Sequence, residues 1–392
     1  MQACERVGPV RAGLDPGNTA SLPQADPTHL QSVFMMEQTK DQGRSHRQMS
    51  PKPAGGGKDT MTAIVQHGYG PPEQVLKPGT VARPAIGNDD VLIRVRASSV
   101  NTPDWITVTG VPYILRLRSG LRRPSTPVRG TDVAGVVDAV GKNVANLKVG
   151  DEVFGSSWDD TLDNKAGAFA ALSVAPASQL MRKPVNLTFE EAAASVMSGL
   201  VALIAIRDVA AVGPGTKMLI NGASGGVGTF AVQIAKAYGA EVTGVCSTRN
   251  LELLRSLGAD HVIDYTKENF TCGEKRYDVI LDNVMNHPAR ATVRVLAPTG
   301  VFIPNSVGNT GGLLAGLPRT VRAILMGKGS TNVQPVKCVV DHDNLTALAA
   351  LLQSGEVKVV MDRIYPFGEA AQAVSHMLEH HARGKIAITI SS

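Results

Sequence analysis

The sequence predicts an α/β fold, a doubly wound parallel sheet that follows a compact all-β segment of barrel type. Three observations carry this. A glycine turn lies between a short apolar strand and an amphipathic helix at 217–249. From 218 to 303, short apolar runs alternate with helical periods, which implies a parallel sheet with helices on both faces. From 62 to 185 the pattern is short strands and turns. At 392 residues the chain is long enough for two domains.

In chain order, strands are expected at 63–66, 90–97, 133–140, 152–154 and 168–174, separated by Gly, Pro and Asn signals. A helix over 189–209 follows, with Thr188 as N-cap and Glu190 and Glu191 in its first turn. Its apolar stretch 192–206 is interrupted by Ser195, Ser198 and Gly199, so a buried helix is expected rather than a membrane span. Then come strand 218–221, helix 229–238, strand 241–246, helix 250–257, strands 261–264 and 278–281, helix 288–296 and strand 301–303. In the second helix Phe230, Ala231, Ile234, Ala235 and Tyr238 recur at helical spacing and Gly239 closes it. Helix 344–354, strand 358–363, helix 368–381 and strand 385–390 complete the chain, and no internal repeat is present.

The apolar fraction of 43% and charged fraction of 19% are those of a soluble globular protein. The four cysteines form no C-x-x-C pair, which argues against a disulfide framework or a thiolate zinc site and fits a reducing, cytoplasmic setting. A net charge of +5 is mild and does not indicate nucleic acid. Residues 1–60 lack a sustained apolar period and the apolar core of a signal peptide. Glu5, Asp15 and Asp26 argue against a transit peptide, and the segment is expected to be disordered. Met61 stands just before the first strand, a position that fits an alternative start.

The turn Ala223-Ser224-Gly225-Gly226-Val227-Gly228 opens a helix whose unpaired N–H groups and dipole favour a pyrophosphate. Gly225 allows backbone approach to that group and Gly228 close packing of helix on strand, while Ala223 replaces the first glycine of G-x-G-x-x-G. The second strand ends in Ser247-Thr248-Arg249 rather than in an acidic residue. That favours NADPH over NADH, with Arg249 a planar, permanent cation for a 2′-phosphate. The alternative is that Arg249 is a solvated loop residue. A rival reading takes Gly222-Ala223-Ser224-Gly225-Gly226 as a nucleophile elbow, with Asp282 and His376 following in hydrolase order. No HGGG-type segment precedes it. The absence of any Tyr-x-x-x-Lys argues against short-chain reductases.

From about Met61 to Ile390 the chain resembles a medium-chain dehydrogenase/reductase of the zinc-free quinone oxidoreductase type. The motifs are GASGGVGTFAVQIAKA, LGADHVIDY, YDVILDNV and HARGKIAITI. The group includes reticulon-4-interacting protein and bacterial proteins labelled alcohol dehydrogenases. The resemblance implies a GroES-like barrel over 61–185, a Rossmann NADP-binding domain over 186–342 and a return to the barrel over 343–392. Zinc-dependent relatives carry a Cys and a His where this chain has Asn101 and Thr131, so no metal is expected.

Asn101 matches the family's cleft asparagine and is the expected catalytic donor, the alternative being a turn cap beside Thr102-Pro103. Asp104 matches a frequent, more structural, family aspartate. Ser247, Arg249 and Tyr265 match 2′-phosphate ligands, with Tyr265 alternatively a core aromatic. Asn283 and Val284 match a segment lining the cofactor groove, in which Met285 replaces the usual glycine; 303–306 should pass the nicotinamide. The scattered histidines are read as solvated. The resulting expectation is an NADPH-dependent reductase of quinones or related conjugated carbonyls, as a homodimer. An alkenal or enoyl-thioester reductase and a non-catalytic NADPH-binding interaction protein are the alternatives. Five arginines at 116, 118, 122, 123 and 129, with no carboxylate between them, suggest an anionic acceptor, peripheral membrane contact, or simply a solvated loop.

Overall fold

The computed structural model describes residues 60–158, 166–306, 317–327, 331–379 and 382–390. Apart from Thr60, the expected disorder of 1–60 lies outside them. The chain opens with β1 (Thr60–Gln66) paired antiparallel with β2 (Leu76–Ala82). Five further strands build an antiparallel sheet: β3 (Asp90–Ser99), β4 (Asp132–Val140), β5 (Glu152–Ser156), β6 (Leu172–Pro176) and β7 (Leu180–Arg182). Bridges Ala63↔Ala170 and Val65↔Val128 fasten the β1–β2 hairpin to it. Strand β3 shows why these segments are strands. Its β-branched Val91, Ile93 and Val95 point into the core, and Arg94 points out to Asp138, 2.6 Å away.

The helix Phe189–Ile204 follows. Thr188 Oγ1 accepts from Glu191 N–H and Glu191 Oε2 from Thr188 N–H, a closed capping box. Every residue from Ala192 to Ile204 is buried, so the most apolar helix of the chain lies inside protein, as its interrupted pattern implies. Its core joins Ala97, Ala134 and Phe154 of the first sheet to Met218, Phe230 and Leu281 beyond it.

The second sheet holds β8 (Lys217–Asn221), β9 (Glu241–Cys246), β10 (His261–Asp264), β11 (Tyr277–Asp282), β12 (Leu296–Pro304) and β13 (Asn332–Val333). Its order is β10-β9-β8-β11-β12-β13, all parallel, and it reverses direction of growth between β8 and β11. Ligands of doubly wound sheets bind outside the carboxyl ends of the strands at such a reversal. The chain then returns to the first sheet through β14 (Met361–Pro366) and β15 (Lys385–Thr389), and β15 lies antiparallel to β3.

Four elements show where structure and expectation part. The helix Gly226–Ala237 starts three residues early, because the last turn residues are already helical although apolar periodicity begins only at Phe230. The helix expected over 288–296 shrinks to Ala289–Thr292 plus a 3-10 turn, and 296 onward joins β12. Strand β2 and the helix Thr102–Thr109 were not expected. The first contains Pro78-Gly79 and the second contains Pro103 and the threonines Thr102, Thr107 and Thr109, all weak signals for either element. Cys246 carries a free thiol and Cys272 is disulfide-bonded, although the spacing of the cysteines argues against a disulfide framework.

Gly228 lies where helix Gly226–Ala237 meets β8: an added methyl would fall 2.2 Å from Gly222 O and 2.6 Å from Ala223 Cα. Both are backbone atoms that cannot swing away. Gly228→Ala should therefore cost about 1–3 kcal/mol of stability. Gly225→Ala, whose methyl would meet only Gly222 O at 3.5 Å, should stay within about 1 kcal/mol. Urea midpoints of the two variants check this, and equal losses would refute the packing account.

Candidate functional site: the seam between the glycine turn and the barrel

Strand β8 runs into Gly222, whose φ of +74° turns the chain; Val284 Cγ2 lies 2.7 Å from where a Cβ would stand. Ala223 is buried and its N–H is bound to Val245 O at 3.0 Å, so it packs under the turn instead of lining it. Ser224 Oγ accepts from Asn250 Nδ2 at 3.0 Å. Gly226, Val227 and Gly228 form the first turn of their helix, so their N–H groups have no intrahelical acceptor. A Cβ on Gly225 above them would meet only Gly222 O, at 3.5 Å.

At the end of β9, Ser247 is half-buried and Arg249 exposed in a 3-10 turn over Thr248–Asn250. Tyr265 is 52% exposed beside them, its N–H on Cys246 O at 3.0 Å, which excludes the core-aromatic alternative. The fold also brings in a carboxylate that the linear sequence did not reveal here. Asp264, at the end of β10, accepts from Thr248 Oγ1 and from Thr266. Burial pushes its carboxyl up, but these hydrogen bonds outweigh it and hold it at about 2. At the end of β11, Asp282 Oδ1 accepts from Asn221 Nδ2 (2.8 Å), Val284 N–H (3.1 Å) and Met285 N–H (2.8 Å). Asn283 bonds Asn221 O and Asn305, leaving Val284 exposed at the rim.

The barrel side meets the turn directly. Gly384 N–H bonds Ser224 O at 2.9 Å, and a methyl on Gly226 would lie 3.1 Å from Lys385 Cδ and 3.4 Å from Ser198 Oγ. Beneath, Lys385 Nζ donates to Asn101 Oδ1 (2.7 Å) and Val100 O (3.2 Å). The amide of Asn101 turns its other end to Asp132 Oδ2 (2.8 Å), Thr131 Oγ1 (3.0 Å) and Ser99 Oγ (3.2 Å). Asn101 thus bridges a buried cation and a buried anion, and its side chain does not cap the helix Thr102–Thr109. That cap is made by Asp104, which accepts from Asn101 N–H (2.8 Å) and from Gly130 N–H (3.0 Å). Among the described residues Asp132 Oδ1 has no hydrogen-bond partner, and Oδ2 also takes Met197 N–H at 3.3 Å.

All these groups are buried. Burial pushes Asp104 up to about 7 and raises Asp132; it lowers Lys385, with Asp132 and Asp104 opposing that fall. The resemblance pointed to Asn101 and Thr131, while Asp132 and Lys385 were not singled out. The available signal was a lysine opening the apolar run of β15. The hydrolase reading fails here: His376 faces Tyr365 OH and Asp362 Oδ2, each at 3.1 Å, and not Asp282. A surface depression of about 360 Å³ lined by Gln233, Lys236 and Lys358 lies at the opposite, C-terminal end of helix Gly226–Ala237, away from this chemistry.

This sheet order, with a glycine turn beside its reversal and a barrel wall closed over it, is the arrangement of a nicotinamide-dependent oxidoreductase. Residues 87–185 match the alcohol dehydrogenase GroES-like domain and residues 257–388 the zinc-binding dehydrogenase family. The chain is 32% identical to a zinc-type alcohol dehydrogenase-like protein of Schizosaccharomyces pombe, over 84% of its own length and 96% of that protein. It is 33% identical to a chloroplast envelope quinone oxidoreductase homolog of Arabidopsis thaliana, over 84% and 98%. The quinone oxidoreductase structure from Coxiella burnetii aligns with a TM-score of 0.75 at 27% identity, over 85% and 100%. The chain belongs to the medium-chain dehydrogenase/reductase family, in its quinone oxidoreductase-like group, and is an enzyme.

Zinc is part of two of those descriptions, and the residues at the seam do not fit it. A zinc site takes three or four thiolate, imidazole or carboxylate ligands. Here the amide oxygen of Asn101 is committed to an ammonium, Thr131 offers a hydroxyl, and Asp132 is a single carboxylate.

The buried acids give a pH prediction. The folded chain holds the Asp104 proton to about pH 7, whereas the unfolded chain releases it near 3.8, so stability falls as pH rises through that window. Asp132 adds a slope of the same sign, and the lowered Lys385 one of opposite sign at alkaline pH. Urea midpoints across about pH 4 to 7 should decline, and Asp104→Asn should flatten the decline. An unaltered slope in the variant would contradict the assignment.

Proposed function

We propose that the chain is a zinc-independent, NADPH-dependent reductase that delivers a hydride to a quinone or a related conjugated carbonyl. The observation that carries this reading is the buried Lys385–Asn101–Asp132 bridge, a cation and not a metal-ligand set, pressed against the glycine turn. A quinone or enone accepts hydride at carbon, and the oxyanion that develops requires hydrogen-bond donors and positioning but no Lewis acid.

In this reading Gly226, Val227 and Gly228 present their free N–H groups to the pyrophosphate, and the open face of Gly225 lets it approach. Ser224 stays in place through Asn250 and Gly384, while Ala223 packs beneath. Ser247, Arg249 and Tyr265 gather the 2′-phosphate, and the nearby Asp264 carboxylate is turned onto Thr248 and Thr266 with Lys267 Nζ 3.6 Å away. Asn283 and Val284 form the far rim of the groove. Bound NADPH supplies the hydride.

Asn101 acts as a positioning residue in this scheme, because both ends of its amide are engaged. Lys385 has three ammonium protons and two acceptors among the described residues, so it has a donor to spare at the seam. The homodimer expected from the resemblance is part of the same proposal.

Arg249→Ala should weaken NADPH binding by about 1.5–3 kcal/mol, the worth of a charge-assisted hydrogen bond, and leave NADH almost unaffected. Calorimetric titration with both cofactors decides it, and equal losses would falsify the 2′-phosphate assignment. NADPH oxidation against a panel of quinones, enals and enoyl thioesters tests the acceptor class; preference for the last two would move the enzyme to the alkenal or enoyl-thioester side.

Elemental analysis of the purified protein should find no stoichiometric zinc, and a chelator should leave turnover unchanged. One tightly held equivalent whose removal stops the reaction would overturn the zinc-independent class.

A further inference from the structure

The segment between the helix Thr102–Thr109 and Gly130 leaves the site and returns to it. Both of its ends are clamped by one carboxylate, Asp104, which holds Asn101 N–H and Gly130 N–H. Between these clamps the excursion is pinned. Arg116 donates to Gly110 O at 2.9 Å, and its guanidinium lies 4.5 Å from the rings of both Tyr69 and Tyr113. Tyr69 OH donates to Gly120 O at 2.7 Å. The segment is therefore held in shape, yet it exposes Tyr113 (45%), Ile114 (44%), Leu117 (74%) and Leu121 (69%) together. Arg122 and Arg123 are exposed directly after Leu121. From 105 to 131 the sequence has five arginines and no Asp or Glu.

The structure divides these arginines by role. Arg116 is packed between tyrosines and Arg129 is buried, so neither belongs to a free cationic surface. Arg122 and Arg123 remain beside the exposed apolar side chains. Leucines at a surface with arginines at their margin suit a lipid interface, where the apolar groups enter the acyl boundary and the cations meet phosphate. A two-fold contact with a second copy is disfavoured, because it would bring together two copies of a segment that has arginines and no carboxylate to pair them.

We propose that the 113–123 segment docks the enzyme on an anionic phospholipid bilayer, with the rim of the site at the membrane surface. The inference deepens the quinone reading, since it would bring the site to the phase in which apolar quinones dissolve. Docking itself is measured with no acceptor present, so each idea can fail alone.

The test is sedimentation of the full chain with vesicles of phosphatidylcholine alone and with added phosphatidylglycerol. The parent should pellet with the anionic vesicles only, less so in high salt. Arg122→Ser with Arg123→Ser should weaken partitioning about thirtyfold, the equivalent of about 1 kcal/mol per arginine at an anionic surface. Leu117→Ser with Leu121→Ser should abolish the part of the binding that survives salt. Both variants should keep the parent's thermal midpoint and its rate with a water-soluble quinone. Failure of the parent to pellet, or parental binding by both variants, would sink the proposal, as would a concentration-dependent dimer broken by the same substitutions. An active parent that ignores vesicles loses only the docking; a vesicle-binding parent inert toward every quinone loses only the substrate class.

Discussion

One buried interaction organises the barrel face that meets the glycine turn: the Asn101 amide stretched between the Lys385 ammonium and the Asp132 carboxylate. Ions in such a setting are costly unless every partner is in place, and removing one from a buried pair typically costs about 3–5 kcal/mol. Here the cation arrives on the last strand, the anion on β4 and the amide at the start of the helix Thr102–Thr109. Satisfying them together fixes β15 against β3 and orients Asn101 in one sense only, oxygen to the lysine and nitrogen to the aspartate. The same constraint explains why the chain returns to the first sheet after completing the second. Without β15 the barrel would hold a carboxylate with no countercharge.

The apolar helix Phe189–Ile204 transmits this arrangement to the second sheet. Met197 N–H touches Asp132, and Ser198 one residue on lies beside the position a Gly226 methyl would take. Glycine turn, helix and last strand therefore share one surface, with Gly384 on Ser224 completing it. A phosphate site on the turn and a reacting carbonyl near Lys385 would be related through packed atoms, not through a flexible linker. Rigid positioning is what a metal-free hydride transfer most needs.

How much of this was legible beforehand follows from the kind of signal each part emits. The parallel sheet was readable because β8, β9 and the helix Gly226–Ala237 each carry a full period of apolar residues. The glycine turn and the Ser247-Thr248-Arg249 end of β9 were readable as segments because a strand–turn–helix–strand unit is a local pattern. Strand β2 and the short helix after Asn101 were not, since proline, glycine and threonine dilute their periodicity. Lys385 and Asp264 were missed for a different reason. Each is a polar residue in an apolar strand, and which partner it meets depends on strand order across more than a hundred residues for Lys385 and on a β9–β10 register for Asp264. Asn101 was singled out in the sequence, and its amide is engaged at both ends, something spacing alone does not specify.

Met285 shows how the fold absorbs a departure from the family pattern. A methionine where glycine is usual raised doubt about whether the backbone after β11 could approach a cofactor. The residue nonetheless has a φ of +57°, the left-handed conformation that costs a side-chain-bearing residue about 1–2 kcal/mol. Two features offset this. Its N–H is held by Asp282 Oδ1 at 2.8 Å, and its side chain is buried with Phe270, Ile280 and Phe302. Burying such a side chain contributes about 1.5–3 kcal/mol, enough to carry the strain. The path glycine would give is kept by a carboxylate and a core contact, and the same carboxylate sets Val284 against Gly222. The groove rim is therefore specified by Asp282, with residue 285 free to be large because its side chain points into the core and not toward the groove.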